Sequence, residues 1–148
     1  MTIQSINKLN ELSPDAQPVF REFLNLLDAE LGEDRYVVFE ARRTAAVQQA
    51  YYAQGRESLE EVNKKRAAAG LYLLRSEGDN YKITWTLQSK HIDGLAMDVL
   101  PTAGGWGNPT WDLANYRETF ETIRRCGKKA GLTCGADWDP PDWPHYQI

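Results

Sequence analysis

The stretch SKHIDGLAMDVLP, residues Ser89–Pro101, decides the fold prediction for this sequence. Its second half is apolar except for one aspartate, which is typical of a buried central strand. Side chains alternate along a strand, so Asp98 is predicted to share a face with Ala96, while Met97 and Val99 point into the opposite layer. A carboxylate on an inner face needs a partner, because burying it unpaired is costly. A divalent cation is one such partner.

The two histidines of the chain provide further donors for such a cation. His91 precedes the strand, and Gly94 allows the chain to bend so that His91 swings back over it. His145 lies in DWDPPDWPHYQI, three residues after Asp142. A catalytic zinc ion takes three protein ligands and leaves one position open for water. His91, Asp98 and His145 are compatible with this set, and Asp142 would remain free to move protons. Spacing alone leaves open an ordinary hydrogen-bonded histidine–aspartate pair or a solvated loop.

Length and composition exclude several classes of protein. The 148 residues, with 42% hydrophobic and 26% charged side chains, predict one globular domain. A net charge of −4 argues against a nucleic-acid partner. No apolar run approaches the ~20 residues of a membrane span, so we expect no membrane insertion. The sequence begins without a secretory signal pattern, and Cys126 and Cys134 are expected to stay reduced.

The order of the predicted elements indicates an α+β fold. Regular βαβ alternation is missing, which favours a small central, mostly antiparallel sheet flanked by helices. We predict a helix that starts at Ser13-Pro14-Asp15 and ends at Gly32, a strand over 35–41, helices over 43–55 and 58–69, a hairpin over 71–87, the central strand over 94–101, a glycine-rich loop over 103–111, a helix from Asp112 to Gly131, and a final strand over 145–148.

Three ordered motifs resemble a known family. SKHIDGLAMDV fits the pattern Ser-x-His-x-x-Gly-x-Ala-x-Asp, and DWPHYQ contains an acid followed by x-x-His. Upstream, RRTAAVQQAYYAQGR contains an arginine–threonine pair and a glutamine. Together these motifs resemble the D-alanyl-D-alanine carboxypeptidase-like zinc peptidases, which belong with the lysostaphin and hedgehog-type folds. The resemblance covers the chain from about Phe39 to its last residue. It implies one zinc ion per chain, bound by His91, Asp98 and His145.

The second motif narrows the resemblance to one branch of the family. Vancomycin-resistance dipeptidases usually carry Glu-x-Trp-His, whereas this chain has Asp142-Trp143-Pro144-His145. Asp-x-Pro-His is similar to the L-alanyl-D-glutamate endopeptidases of bacteriophage endolysins. Those enzymes cut the stem peptide of bacterial peptidoglycan during host lysis. The resemblance therefore implies a zinc-dependent peptidoglycan endopeptidase, with the whole of residues 1–148 as its catalytic domain and no separate wall-binding domain.

The resemblance also implies roles for residues outside the ligand set. Asp142 would take a proton from the attacking water and return it to the leaving amine. Arg43, rather than Arg42, would stabilise the oxyanion or hold a substrate carboxylate, because Thr44 follows it and Gln48 sits at the family's offset. Gln48 is expected to contact substrate.

Other positions leave two interpretations open. Ser89 would either bond to substrate or orient the His91 loop. Trp138 and Trp143 flank the catalytic loop, and the sequence favours packing and groove lining equally. The hairpin over Leu71–Ile83 is unfamiliar in the family, and we expect it to reshape the substrate groove.

Two other functions compete with the endopeptidase. One is a D,D-carboxypeptidase or dipeptidase that acts on D-alanyl-D-alanine ends, and the other is a zinc-containing binding module without activity. Retention of Asp142 beside a full ligand set argues against the binding module. For an endolysin we expect a monomer, made in the host cytoplasm, that reaches the wall and periplasm only after the membrane is permeabilised.

Overall fold

The computed structural model describes residues 1–104 and 107–148, which form two compact units. One unit combines Met1–Arg42 with Asp93–Ile148, and the other is Arg43–Ile92. Gly105 and Trp106, part of the predicted glycine-rich loop, lie outside the described residues. The helices within these ranges are α1 (Ile3–Asn10), α2 (Gln17–Glu30), α3 (Ala45–Ala53), α4 (Leu59–Ala68) and α5 (Arg117–Lys129).

The first unit contains an antiparallel sheet of four strands. Its strands are β1 (Tyr36–Glu40), β2 (Ala96–Pro101), β3 (Thr133–Cys134) and β4 (His145–Gln147), in the order β1-β2-β4-β3. Each neighbouring pair is antiparallel. The predicted α+β class with a small antiparallel sheet is therefore confirmed, and β2 lies inside the sheet as expected.

The core of the first unit lies against one face of β2. Met97 and Val99 are fully buried among the large apolar side chains of α2, α5 and β4, as the alternation of the strand predicts. Each fully buried large apolar side chain contributes roughly 1.5–3 kcal/mol, so this cluster fixes the position of β2. The largest of its members are Phe20, Phe23, Leu24, Leu27, Ile123 and Tyr146.

The helices of the first unit differ from the prediction at their starts. Thr2 caps α1, which the sequence did not predict. The next helix begins at Gln17 rather than at Ser13. Ser13 instead lies in a turn, in which its carbonyl accepts hydrogen bonds from the amides of Ala16 and Gln17. The predicted start of the last helix was also early. The Asp112 carboxylate accepts from the backbone and side-chain amides of Asn115, and α5 begins only at Arg117.

The second unit contains α3, α4 and an extended segment. Ser58 caps α4 by accepting from the amide of Glu61, as predicted. The predicted hairpin over 71–87 is wrong, because only a short 3₁₀ turn, Glu77–Asp79, forms there. The backbone of Leu74 bonds to the Asn63 side chain on α4, so this part of the segment pairs with a helix instead of a second strand.

Two expectations from composition can be compared with the structure. Among the described residues, no helix has both the length and the apolar character needed to cross a bilayer. Cys126 and Cys134 are free, buried thiols, which agrees with the reduced state expected for them.

Candidate active site

Strand pairing places two of the predicted metal ligands side by side. Asp98 on β2 stands directly opposite His145 on β4 in the antiparallel register. The Nδ1 atom of His145 lies 3.4 Å from Oδ1 of Asp98, and their side chains are only 9% and 15% exposed. Residues directly opposite each other in an antiparallel pair have neighbouring side chains, so the register itself brings together two of the three donors.

A turn at Gly94 leads from His91 into β2. Gly94 adopts a positive φ of 72°, and a Cβ added there would lie 2.7 Å from the amide nitrogen of Ser13. The Gly94 carbonyl accepts from that same amide at 3.0 Å, which fixes the turn. His91 is 2% exposed. One ligand atom from each of His91, Asp98 and His145 lies within 4.8 Å of the others.

The dimensions of this donor set suit one tetrahedral cation. Zinc ligands lie at about 2.0–2.1 Å, so two of them on a tetrahedron are about 3.4 Å apart. The separation of 3.4 Å between Asp98 Oδ1 and His145 Nδ1 matches that edge. Three protein donors also leave a fourth position for water or substrate. The predicted cofactor, one zinc ion per chain, is supported by a donor set of the right type, in which the Asp98–His145 separation has the expected length.

The structure adds Gln147 to the predicted residues. Its Oε1 lies 2.9 Å from Nε2 of His145. Metal-binding histidines commonly donate their other ring N–H to such an acceptor, which fixes the tautomer and leaves the first nitrogen free for the metal. The sequence did contain a signal, because residues two apart on a strand share a face.

The same surroundings shift the pKa of His145. Burial lowers it, but the hydrogen bond and charge of Asp98, the Gln147 amide and the charge of Asp142 together raise the pKa above its usual value. The site therefore attracts positive charge at His145. A metal cation benefits from the same attraction.

Asp142 lies on an exposed loop that is tied to the ligand strand through its backbone. Its amide donates to the Gly135 carbonyl at 2.8 Å, and its own carbonyl accepts from the amide of His145 at 3.2 Å. A Cβ at Gly135 would lie 2.3 Å from the Asp142 carbonyl oxygen. Glycine at 135 is therefore needed for the loop to approach this closely.

The loop is anchored to α5 by an ion-pair network. Asp137 accepts from Nε and Nη2 of Arg124 at 2.9 and 2.6 Å, and it pairs with Lys128 at 2.9 Å. Lys128 and Arg124 lower the pKa of Asp137. Asp137 therefore joins the loop to α5.

The two tryptophans of the loop have different environments. Trp138 is 39% exposed, and its ring centroid lies 5.0 Å from that of His145. Trp143 packs edge-on against Phe120 of α5, with centroids 6.1 Å apart. Trp138 thus borders the ligand set and Trp143 joins the loop to the helix.

Arg43, Gln48 and Ser89 belong to the second unit. The Arg43 guanidinium donates to Oε1 of Gln48 at 2.7 Å, and the Gln48 amide donates to the Thr86 carbonyl at 2.7 Å. Gln48 is fully buried, which points to a role in holding Arg43. Ser89 Oγ accepts from the amide of His91 at 3.2 Å, which fits the second of its two predicted roles.

The chain is similar to known proteins both in sequence and in fold. Residues 82–148 match a family model described as D-alanyl-D-alanine carboxypeptidase. The fold is similar to that of the Serratia marcescens L-Ala D-Glu endopeptidase ChiX, with a TM-score of 0.59 and 23% identity, over 100% of this chain and 88% of that one. The vancomycin-resistance D,D-pentapeptidase VanY in complex with Zn(II) gives a TM-score of 0.47 and 18% identity, over 93% and 72% of the two chains. No curated protein matches the sequence.

These comparisons bear on the predicted family and on the enzyme class. The resemblance to D-alanyl-D-alanine carboxypeptidase-like peptidases is confirmed by the family match, which includes all three predicted metal ligands. The predicted class, a zinc metallopeptidase, is confirmed with it. The similarity to ChiX confirms the fold.

Proposed function

We propose that this chain is a zinc peptidase of the D-alanyl-D-alanine carboxypeptidase-like family and that it hydrolyses the L-alanyl-D-glutamate bond of peptidoglycan stem peptides. The observation that carries the proposal is Asp142, three residues before the ligand His145 and tied to it through the backbone. The sequence Asp-x-Pro-His at this position resembles the endopeptidase branch. A protein of the same fold is described as an L-Ala D-Glu endopeptidase, and the proposal extends that activity to this chain.

The chemistry of the proposed reaction is divided between the cation and the chain. Zinc, when bound, supplies a Lewis acid and lowers the pKa of water at its open position. The Asp142 carboxylate accepts the proton of the attacking water and then donates it to the leaving amine. Asp142 is exposed on its loop and is proposed to begin the reaction as the base.

Arg43 is proposed to bind the charged part of the substrate. Its guanidinium would hold a carboxylate of the stem peptide or the developing oxyanion, and donors of this kind contribute about 3 kcal/mol each. Gln48 is proposed to orient Arg43, because its buried amide is already bonded to both Arg43 and Thr86. Ser89 is proposed to hold the backbone of His91.

The Asp142 assignment is tested by the isosteric change Asp142→Asn. We expect hydrolysis to fall by about a hundredfold or more, because proton transfer is lost, while bound zinc stays at one equivalent. Metal analysis and rates on purified peptidoglycan are measured together. Asp139→Asn, which alters an exposed acid of the same loop, serves as the control and should keep its activity. Full activity in Asp142→Asn would reject the proposed base.

The scissile bond is tested by mass spectrometry of the fragments released from peptidoglycan, with and without a chelator. The proposal expects new N-terminal D-glutamate ends that disappear when the metal is removed. Release of terminal D-alanine alone would instead identify a D,D-carboxypeptidase. Zinc binding without any cleavage would identify a binding module.

We further propose that the enzyme acts as a monomeric endolysin, made in the host cytoplasm and reaching the wall after the membrane is permeabilised. The resemblance to the bacteriophage branch supports this role. Expression in a bacterial host should cause lysis only when a membrane-permeabilising protein is produced with it. Lysis by the enzyme alone would contradict the proposal.

A further inference from the structure

The second unit differs in charge from the rest of the chain. Residues 43–92 contain eight lysines and arginines against five aspartates and glutamates, a net charge of +3. The remaining residues contain nine basic against sixteen acidic side chains, a net charge of −7. A protein that is acidic overall therefore concentrates an excess of positive charge in one unit. Such an excess favours an anionic partner at that unit.

The same unit exposes large aromatic and aliphatic side chains along one segment. Trp85 is 70% exposed and Tyr81 is 62% exposed. Packing does not explain these side chains, and large apolar side chains that are left exposed close together along a segment are candidates for an interaction site. Further exposed members of the segment are Tyr72, Leu73, Ile83 and Leu87.

Two cations converge on the exposed indole. The Arg56 guanidinium carbon lies 5.8 Å from the Trp85 ring centroid, and Lys82 Nζ lies 5.7 Å from it. Arg56 also stacks on Tyr52 at 3.9 Å, which holds the guanidinium in place. In the described part of the chain, neither cation forms an ion pair with a carboxylate. Their charges therefore remain available to a ligand.

We infer that this cluster, Tyr52, Arg56, Lys82 and Trp85, binds the carboxylate-bearing peptide chains of peptidoglycan and holds the enzyme on the polymer. Guanidinium and ammonium groups bind carboxylates through charge-assisted hydrogen bonds. Rigid aromatic side chains add contact area at low entropic cost. The choice of polymer rests on the proposed function. The cluster itself contains no predicted metal ligand or catalytic residue.

Binding is tested by sedimentation of the zinc-loaded protein with purified sacculi. The Asp142→Asn background prevents cleavage, so the polymer stays intact. We expect Lys82→Gln and Trp85→Ala each to weaken binding by about threefold, and added salt to weaken binding of the parent protein. Lys64→Gln is the matched control, because it removes the same charge from the same unit but from a side chain that already pairs with Glu60 and Glu61.

Several outcomes would overturn the inference. Unchanged binding in both cluster variants would do so, and an equal loss in Lys64→Gln would show that only the net charge matters. Sacculi whose carboxylates have been amidated should bind weakly, and full binding to them would exclude carboxylate recognition. Tighter retention on DNA-cellulose than on sacculi would point to a nucleic acid instead.

A second assay separates this inference from the proposed function. On a short soluble stem peptide, Lys82→Gln and Trp85→Ala in the otherwise native enzyme should hydrolyse at the native rate, while fragment release from sacculi slows. If the native enzyme fails to cleave the soluble peptide, the proposed function fails. The sedimentation result then still decides whether the cluster binds the polymer. Equal rates on sacculi for native and variant enzymes would reject a role in holding the enzyme there.

Discussion

His145 has a different partner at each ring nitrogen. Nδ1 faces Asp98 at 3.4 Å and Nε2 faces Oε1 of Gln147 at 2.9 Å. An amide oxygen can only accept, so Nε2 carries the proton, and Nδ1 would present its lone pair to a bound cation. The Gln147 side chain thereby prepares the neutral tautomer that a metal ion requires.

Gln147→Leu tests whether the Gln147 side chain sets the tautomer and orientation of the His145 ring. We expect zinc to bind about ten- to a hundredfold more weakly, because the ring loses the acceptor that orients it. Competition with a chromophoric chelator measures the affinity. Gln147→Glu keeps an acceptor at the same distance and should restore most of the binding. Equal affinity in the leucine variant would show that the Asp98 contact alone orients the ring.

The sequence predicted all three ligands of the candidate metal site, but not the groups that support them. Spacing alone left open an ordinary hydrogen-bonded histidine–aspartate pair, and the resemblance of the motifs to a zinc peptidase family carried the prediction. Gln147 and Gln48 have many possible uses, and only the fold decides which acceptor or donor each amide meets. The shared strand face was a signal for Gln147 and the motif offset for Gln48, but the partner of each amide depends on the fold.

At the scale of elements, the loop that carries Asp142 depends on α5. Asp137, near the start of the loop, bonds to Arg124 and Lys128 on one face of the helix. From there the loop passes through Asp142 and its backbone returns to Gly135. Because general acid–base catalysis requires close positioning of the carboxylate, the helix contacts are expected to influence the rate.

Arg124→Gln removes the principal contact between Asp137 and the helix. We expect kcat to fall severalfold with zinc content unchanged, because Asp142 is held less well while the three ligands remain. Arg125→Gln is the matched control, since Arg125 is the next residue on α5 and its ion pair with Glu30 is long, at 3.7 Å. Equal rates in the two variants would show that the ion pairs of Asp137 with α5 do not influence catalysis.

Gly135→Ala tests the close approach within the loop. Its Cβ would lie 2.3 Å from the Asp142 carbonyl, so the loop must move, and we expect a loss of about 1–3 kcal/mol in the free energy of unfolding. Denaturant titration measures the loss. Gly78→Ala meets only the Ser76 hydroxyl at 3.6 Å and should leave stability unchanged. A stable, active Gly135→Ala protein would contradict the steric argument.

The spacing of apolar residues predicted the helices and strands that bury an apolar face. It failed for the segment whose backbone conformation is set by hydrogen bonds to polar side chains. The strands β1, β2 and β4 and the helices α3 and α4 were all predicted. The segment 71–87 alternates like a hairpin, yet it bonds to Asn63 on α4 and follows no partner strand. Alternation records which side chains are apolar, but it does not record which backbone groups find partners.

At the scale of the whole molecule, the core keeps several ionisable groups neutral. Burial, followed by the charge of Asp137, raises the pKa of Cys134 to about 11. Burial likewise raises the pKa of Cys126 and of Tyr146. These groups lose their protons more readily in the unfolded chain than in the folded protein, which links stability to alkaline pH.

The raised pKa of Cys134 determines the direction in which stability changes with pH and the pH range over which it changes. The neutral thiol stabilises the folded state fully below about pH 9, where the unfolded thiol is also protonated, and this contribution is lost as pH rises towards 11. The loss should be on the order of 2 kcal/mol. Urea unfolding of the native protein and of Cys134→Ala, at several values between pH 8 and about pH 11, measures it. The alanine variant starts less stable because of its cavity, but its stability should fall less steeply with pH. Parallel slopes would mean that the thiol titrates alike in both states, and that the packing around Cys134 admits water.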